Sequence, residues 1–282
     1  MFQVKRGDIG MHSVKINEYL MFFYSGRFPE HAEFDMRLGG GCYVIHRGNR
    51  AIVIDTFGLA GQGDWVKDYM VSNHDTKYFT VVNTHWHGDH VGGNSLYKND
   101  PIVGHTLTRD IMRQFPDDPK MTTQPNLTFE GRMDLWIEDI KVELHEFKIH
   151  ALGHLAVYIP QDKILLAADI LEDPICIFNF EDMTPEVQLS EFERMMAMDI
   201  DCLLSSHCNL EVVKSGGYDK RFISNMVDYM RAMLKEGRSG DFKNKLAQDY
   251  ITKALNNGLL TWWEPYKEVH EMNVEAVEKF YS

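Results

Sequence analysis

The stretch KYFTVVNTHWHGDHVGG, residues 77–93, decides the fold. Lys77 to Asn83 is rich in β-branched and aromatic residues, which predicts a buried strand. It runs directly into Thr84-His85-Trp86-His87-Gly88-Asp89-His90, where four side chains able to ligate a metal fall within six residues. His85 and His87 are two apart, so in an extended segment they point the same way. Gly88 lets the backbone curl and aim Asp89 and His90 at a second position, and Gly92 and Gly93 permit close backbone packing behind them. A single histidine is usually solvated or core. This cluster, delivered by a strand, points to a metal site.

Outward from it, residues 41–46 and 50–55 read as two strands about a turn at Arg47-Gly48-Asn49, and the second ends on Asp55. Residues 64–72 have helical apolar spacing, with Asp64 as the expected N-cap. A second β series spans 127–170, with turns near Gly131, Glu138-Asp139 and Gln161-Asp162. Residues 183–198 predict a helix with Thr184 as N-cap and Pro185 at its first position. Leu203–His207 predicts a last short strand. Beyond Lys214 the pattern is helical: 219–236 and 241–256, separated by Gly237 and Gly240, then 267–281.

With 282 residues and 44% apolar content, the chain is long enough to bury a substantial core. Its formal charge of −13 disfavours phosphate backbones, so no nucleic-acid partner is expected. No run approaches the ~20 apolar residues of a membrane helix, so no membrane partner is expected either. Residues 1–10 lack the apolar centre of a secretory signal, and the four cysteines form no C-x-x-C pair. The expectation is a cytoplasmic protein with reduced thiols.

The H-x-H-x-D-H run with its preceding strand resembles the metallo-β-lactamase superfamily. The similarity continues in order. Residues 42–45 and 51–56 resemble the family's first strands, including the supporting Asp55. HALGH at 150–154 is similar to its H-T-P-G turn, and KILLAADI at 163–170 to the strand before the bridging aspartate. DCLLSSH at 201–207 resembles the strand that delivers the last histidine. The resemblance implies an α/β fold: an αββα sandwich of two mixed β-sheets flanked by helices, with a C-terminal helical appendage. The expected division is a catalytic domain over 1–213 and the appendage over 214–282.

It also implies a ligand set: His85, His87 and His150 at one metal, Asp89, His90 and His207 at a second, and Asp169 bridging. His150 and His154 both fit the third histidine of the first site. His150 is nineteen residues before Asp169, the family spacing without a gap, so it is preferred and His154 falls beside the ligands. Ile149, Ala151-Leu152 and Ala168 depart from the family's Gly, Thr-Pro and Gly at those positions. Asp55 is expected to fix the tautomer of a ligand imidazole.

Three imidazoles at one ion leave an open position for water, and the mixed nitrogen and oxygen donors favour two Zn²⁺, with iron or manganese left open. The expected enzyme is a binuclear metal-dependent hydrolase. It would turn water into a nucleophile at neutral pH to attack an ester, thioester, lactone or β-lactam carbonyl, with Asp89 relaying the proton. An iron-dependent oxidoreductase resembling the persulfide dioxygenases and a phosphodiesterase are the alternatives. A small-molecule substrate is the expected partner, and oligomerisation stays open. The aromatic segment Phe22, Phe23, Tyr24 with Phe28, together with Trp86 and Phe178, is the expected wall of the substrate pocket.

Overall fold

The computed structural model describes residues 10–26, 37–240 and 245–282. Phe28 lies outside the described residues, as does the start of the helix expected from residue 241. Two mixed sheets with flanking helices are formed. One holds seven strands in chain order: β1 (His12–Lys15), β2 (Leu20–Ser25), β3 (Gly40–Arg47), β4 (Arg50–Ile54), β5 (Tyr78–Val82), β6 (Ile102–His105) and β7 (Leu127–Phe129). The other holds five, in the order β12-β11-β10-β9-β8. These are β8 (Arg132–Ile137), β9 (Ile140–Phe147), β10 (His154–Ile159), β11 (Ile164–Ala168) and β12 (Cys202–Ser205).

The chain divides into two compact units. The first comprises the described residues up to Glu146 together with Gly153–Asp162. Within it, β1 to β4 pair antiparallel, whereas β4 to β7 run parallel. The parallel half therefore brings the C-terminal ends of β4, β5 and β6 to one edge. Loops that bind ligands gather at such an edge in open α/β sheets. Met21, Phe23, Val44, Val53, Val81 and Ile102 build the apolar core behind it, closed by helix α1 (Ala60–His74). That helix begins four residues before the expected start. Its N-cap is Leu59, whose N–H donates to Oε1 of Gln62, so a glutamine at the third helical position does the capping and Asp64 lies inside. Two short helices follow, α2 (Gly88–Val91) and α3 (Thr106–Met112).

The second unit comprises Phe147–Leu152 and Lys163–Ser282. Here β11 and β12 are parallel neighbours, and the helices are α4 (Pro185–Ala197), α5 (Leu210–Lys214), α6 (Arg221–Ser239), α7 (Ala247–Asn256) and α8 (Tyr266–Tyr281). Thr184 caps α4 by accepting from the Val187 N–H, as its position before Pro185 leads one to expect. Gly237, read as a helix break, lies within α6. A Cβ there would sit 2.3 Å from Cγ1 of Val277 and 3.0 Å from the Tyr281 ring, so the glycine marks where α6 and α8 approach. Among the described residues no helix is long and apolar enough to cross a membrane.

Because α6 and α8 leave no space for that Cβ, Gly237→Ala should destabilise the fold by about 1–3 kcal/mol, the usual cost of overpacking. A urea titration checks it: the midpoint should fall, with the slope unchanged.

Candidate metal centre

In the first unit the site is organised by Asp55. Ile54 pairs with Val82, so Asp55 and Thr84 leave the same edge of the sheet. Asp55 is buried and accepts from the Thr84 N–H at 2.8 Å, from the Thr84 hydroxyl at 2.7 Å, and from His90 Nδ1 at 2.8 Å. These contacts set tautomers. The bond to Asp55 places the His90 proton on Nδ1 and leaves Nε2 as the lone-pair nitrogen. Thr84 gives its single hydroxyl proton to Asp55, so it must accept from His85 Nδ1, 3.0 Å away, and His85 also presents Nε2. One carboxylate thereby fixes the tautomers of two imidazoles, directly for His90 and through Thr84 for His85.

The turn after β5 is held equally tightly. His90 N–H returns to the His87 carbonyl, and the His90 carbonyl accepts from Thr56 N–H at 2.7 Å. A Cβ on Gly92 would lie 2.5 Å from the Gly58 carbonyl, and one on Gly93 would lie 2.2 Å from that of Thr56, so only glycine fits behind the ligands. Asn94 and Asn83 exchange amide hydrogen bonds, and Asn94 also accepts from Thr56 Oγ1. The roles of Thr84, Asn83, Asn94 and Thr56 lay outside the sequence reading. Their one signal is proximity to the quoted stretch.

In the second unit three ligand candidates follow strand ends. His150 comes after β9 with φ +66°, Asp169 directly after β11, and His207 two residues after β12. Asp169 Oδ2 lies 3.7 Å from His150 Nε2 and 3.3 Å from His207 Nε2.

Two groups of candidate ligands result: His85, His87, Asp89 and His90 in the first unit, and His150, Asp169 and His207 in the second. The donor chemistry fits two divalent ions, since neutral imidazoles with fixed tautomers and carboxylates are what zinc-type ions take. His154 is in neither group. It is fully buried and stacks on the His85 ring with centroids 4.3 Å apart. His105 is buried at the head of α3, where its Nδ1 accepts from Leu107 N–H, a capping role.

Among the described residues of the expected pocket wall, Trp86 alone is half-exposed, edge-on to His87 and stacked on Phe115. Phe22, Phe23 and Tyr24 are core instead. The whole of β2 is buried between β1 and β3, with Phe22 stacked on Tyr43 and Phe23 against Trp65 and Tyr69. Phe178 is also core, stacked on Phe180 and against Tyr229 of α6. The four cysteines form no disulfide. Burial pushes the Cys42 and Cys176 thiols up and Cys202 up to about 11, the opposite of nucleophilic activation.

The sequence profile of the metallo-β-lactamase superfamily matches residues 37–207. A lactamase-like protein of Penicillium aethiopicum is 28% identical over 135 residues, 46% of this chain and 40% of that protein. An atrochrysone carboxyl ACP thioesterase of Passalora fulva is 34% identical over 93 residues, 26% of this chain and 27% of that protein. The chain thus spans less than half the length of these curated relatives. Among solved structures, a metallo-β-lactamase from Pontibacter korlensis superposes with a TM-score of 0.65 at 19% identity, covering 78% of this chain and 99% of that one.

Two outcomes are expected. Asp55→Asn puts an amide where His90 needs an acceptor, so metal affinity measured by chelator competition should fall by about 10–100-fold. His150→Ala should cost one of two metal equivalents in elemental analysis, while His154→Ala should retain both. The reverse pattern would place the third histidine at His154.

Proposed function

Because this chain belongs to the metallo-β-lactamase superfamily, we propose that it is a binuclear metal-dependent hydrolase acting on a small organic acyl compound, with a thioester as its first-choice bond. The observation that carries this reading is the donor inventory: His85, His87, Asp89 and His90 gathered at one edge of the first unit, and His150, Asp169 and His207 at strand ends of the second, enough donors to hold two ions. The thioester is favoured because curated relatives matched over about a quarter of the chain are named ACP thioesterases. Two divalent ions in these groups, zinc in this reading, would polarise the acyl carbonyl and bring the ionisation of water into the neutral range.

The chain's own residues supply the rest. Asp89 is partly exposed, and its Oδ2 lies 3.4 Å from His90 Nε2. It can take the proton from the attacking water and deliver it to the leaving sulfur, so that acid and thiol form with protons balanced. Asp55 and Thr84 hold the His85 and His90 rings through the reaction. Trp86 and Phe115, stacked 5.9 Å apart, offer an apolar wall for the acyl group. Four thiols outside any disulfide agree with a reducing, cytoplasmic setting.

The test is a panel of thioesters, lactones, β-lactams and phosphodiesters, assayed with metal content measured on the same preparation. Thioesters should be turned over best, and Asp89→Asn should lower kcat by roughly 10²–10⁴-fold, more than it lowers metal occupancy. Preference for a phosphodiester, or a rate that falls only in step with lost metal, would count against the acyl-hydrolase reading.

A further inference from the structure

The segment after Asp169 carries two buried acids, Glu172 and Asp173, which the assignment above does not use. We propose that Glu172 is a positioning residue for the ligand His150, and that Tyr266 of the C-terminal helix α8 holds Glu172 for that task. The proposal rests on the metal-centre reading.

The geometry is directional. Tyr266 donates its hydroxyl proton to Glu172 Oε2 at 3.0 Å. The other oxygen, Oε1, lies 3.7 Å from Nδ1 of His150. On the opposite side of the same ring, Nε2 faces Asp169. An imidazole that gives its Nε2 lone pair to a metal must carry its proton on Nδ1, and a carboxylate at Nδ1 fixes that tautomer and makes the ring a better donor. At 3.7 Å the attraction is electrostatic rather than a formed hydrogen bond. Glu172 and Tyr266 are almost fully buried, at 1% and 0% exposure. Burying a carboxylate is costly, so a purely structural brace here would be better made of apolar groups.

Asp173, the next residue, touches His207 through the backbone. Its N–H donates to the His207 carbonyl at 3.0 Å, and its carboxylate accepts from Thr261 N–H at 2.7 Å and from the Tyr218 hydroxyl at 2.8 Å. The segment from Thr261 to Tyr266 therefore grips both acids, and of the two carboxylates that of Glu172 faces a candidate ligand ring. The C-terminal helices become part of the metal centre's support.

Cobalt(II) titration of the full chain tests this, reading both the affinity of each equivalent and the visible absorption of the bound ion. Glu172→Gln and Tyr266→Phe should weaken one of two equivalents by about 10–100-fold and shift its absorption band. Tyr229→Phe removes an equally buried hydroxyl, hydrogen-bonded to His270 rather than to a ligand's partner, and should leave both equivalents as in the wild type. Unchanged affinities and spectrum in both variants overturn the proposal, even if their melting temperatures drop. If Glu172→Gln does not fold, Tyr266→Phe, which keeps the ring, decides alone. A wild-type chain that takes up no cobalt overturns the metal-centre reading and this proposal with it.

Discussion

A carboxylate buried where two parallel strands end is the constraint on which the first half of the site depends. Removing Asp55 from water is unfavourable unless its oxygens are fully engaged. Burial pushes its carboxyl up, against the pull of His90 and the Thr84 donors. Those donors can converge on it only because β4 and β5 are in register, with Ile54 beside Val82. A register slip of one residue would turn Asp55 to the other face of the sheet and separate it from Thr84. The strand pairing, the apolar core that fixes it and the tautomers of His85 and His90 are thus one linked set.

The second unit reaches a similar result by different means. β11 and β12 are parallel, and Asp169 and His207 follow their ends. The support comes from side chains far along the chain. Tyr266 reaches Glu172 across 94 residues and Thr261 reaches Asp173 across 88. Residues added after His207 thus hold the acids that follow Asp169.

This contrast explains what was legible in the sequence. His85, His87, Asp89 and His90 could be read because their relation is local: a strand, a turn and a spacing fix where they point. Asp55 was legible as a strand-end acid. Glu172 and Tyr266 were not, since no local pattern links residues so far apart. The aromatics of β2 misled for a physical reason. A strand covered on both faces shows no alternation, so Phe22, Phe23 and Tyr24 look the same whether they line a pocket or fill a core. Gly237 misled because glycine serves both to stop a helix and to let two helices touch, and only the partner, here Val277, tells which.

The acids also constrain what the site can hold. Asp55, Asp169, Glu172 and Asp173 are almost fully buried, and Asp89 is partly so. Neutral imidazoles do nothing to offset the charge of these carboxylates. Divalent ions would, and each cation would lower the pKa of the acids around it. Ion binding and ionisation of the buried acids then favour each other, so metal uptake releases protons and adds to the stability of the fold. The buried acids, as well as the histidines, therefore favour bound cations.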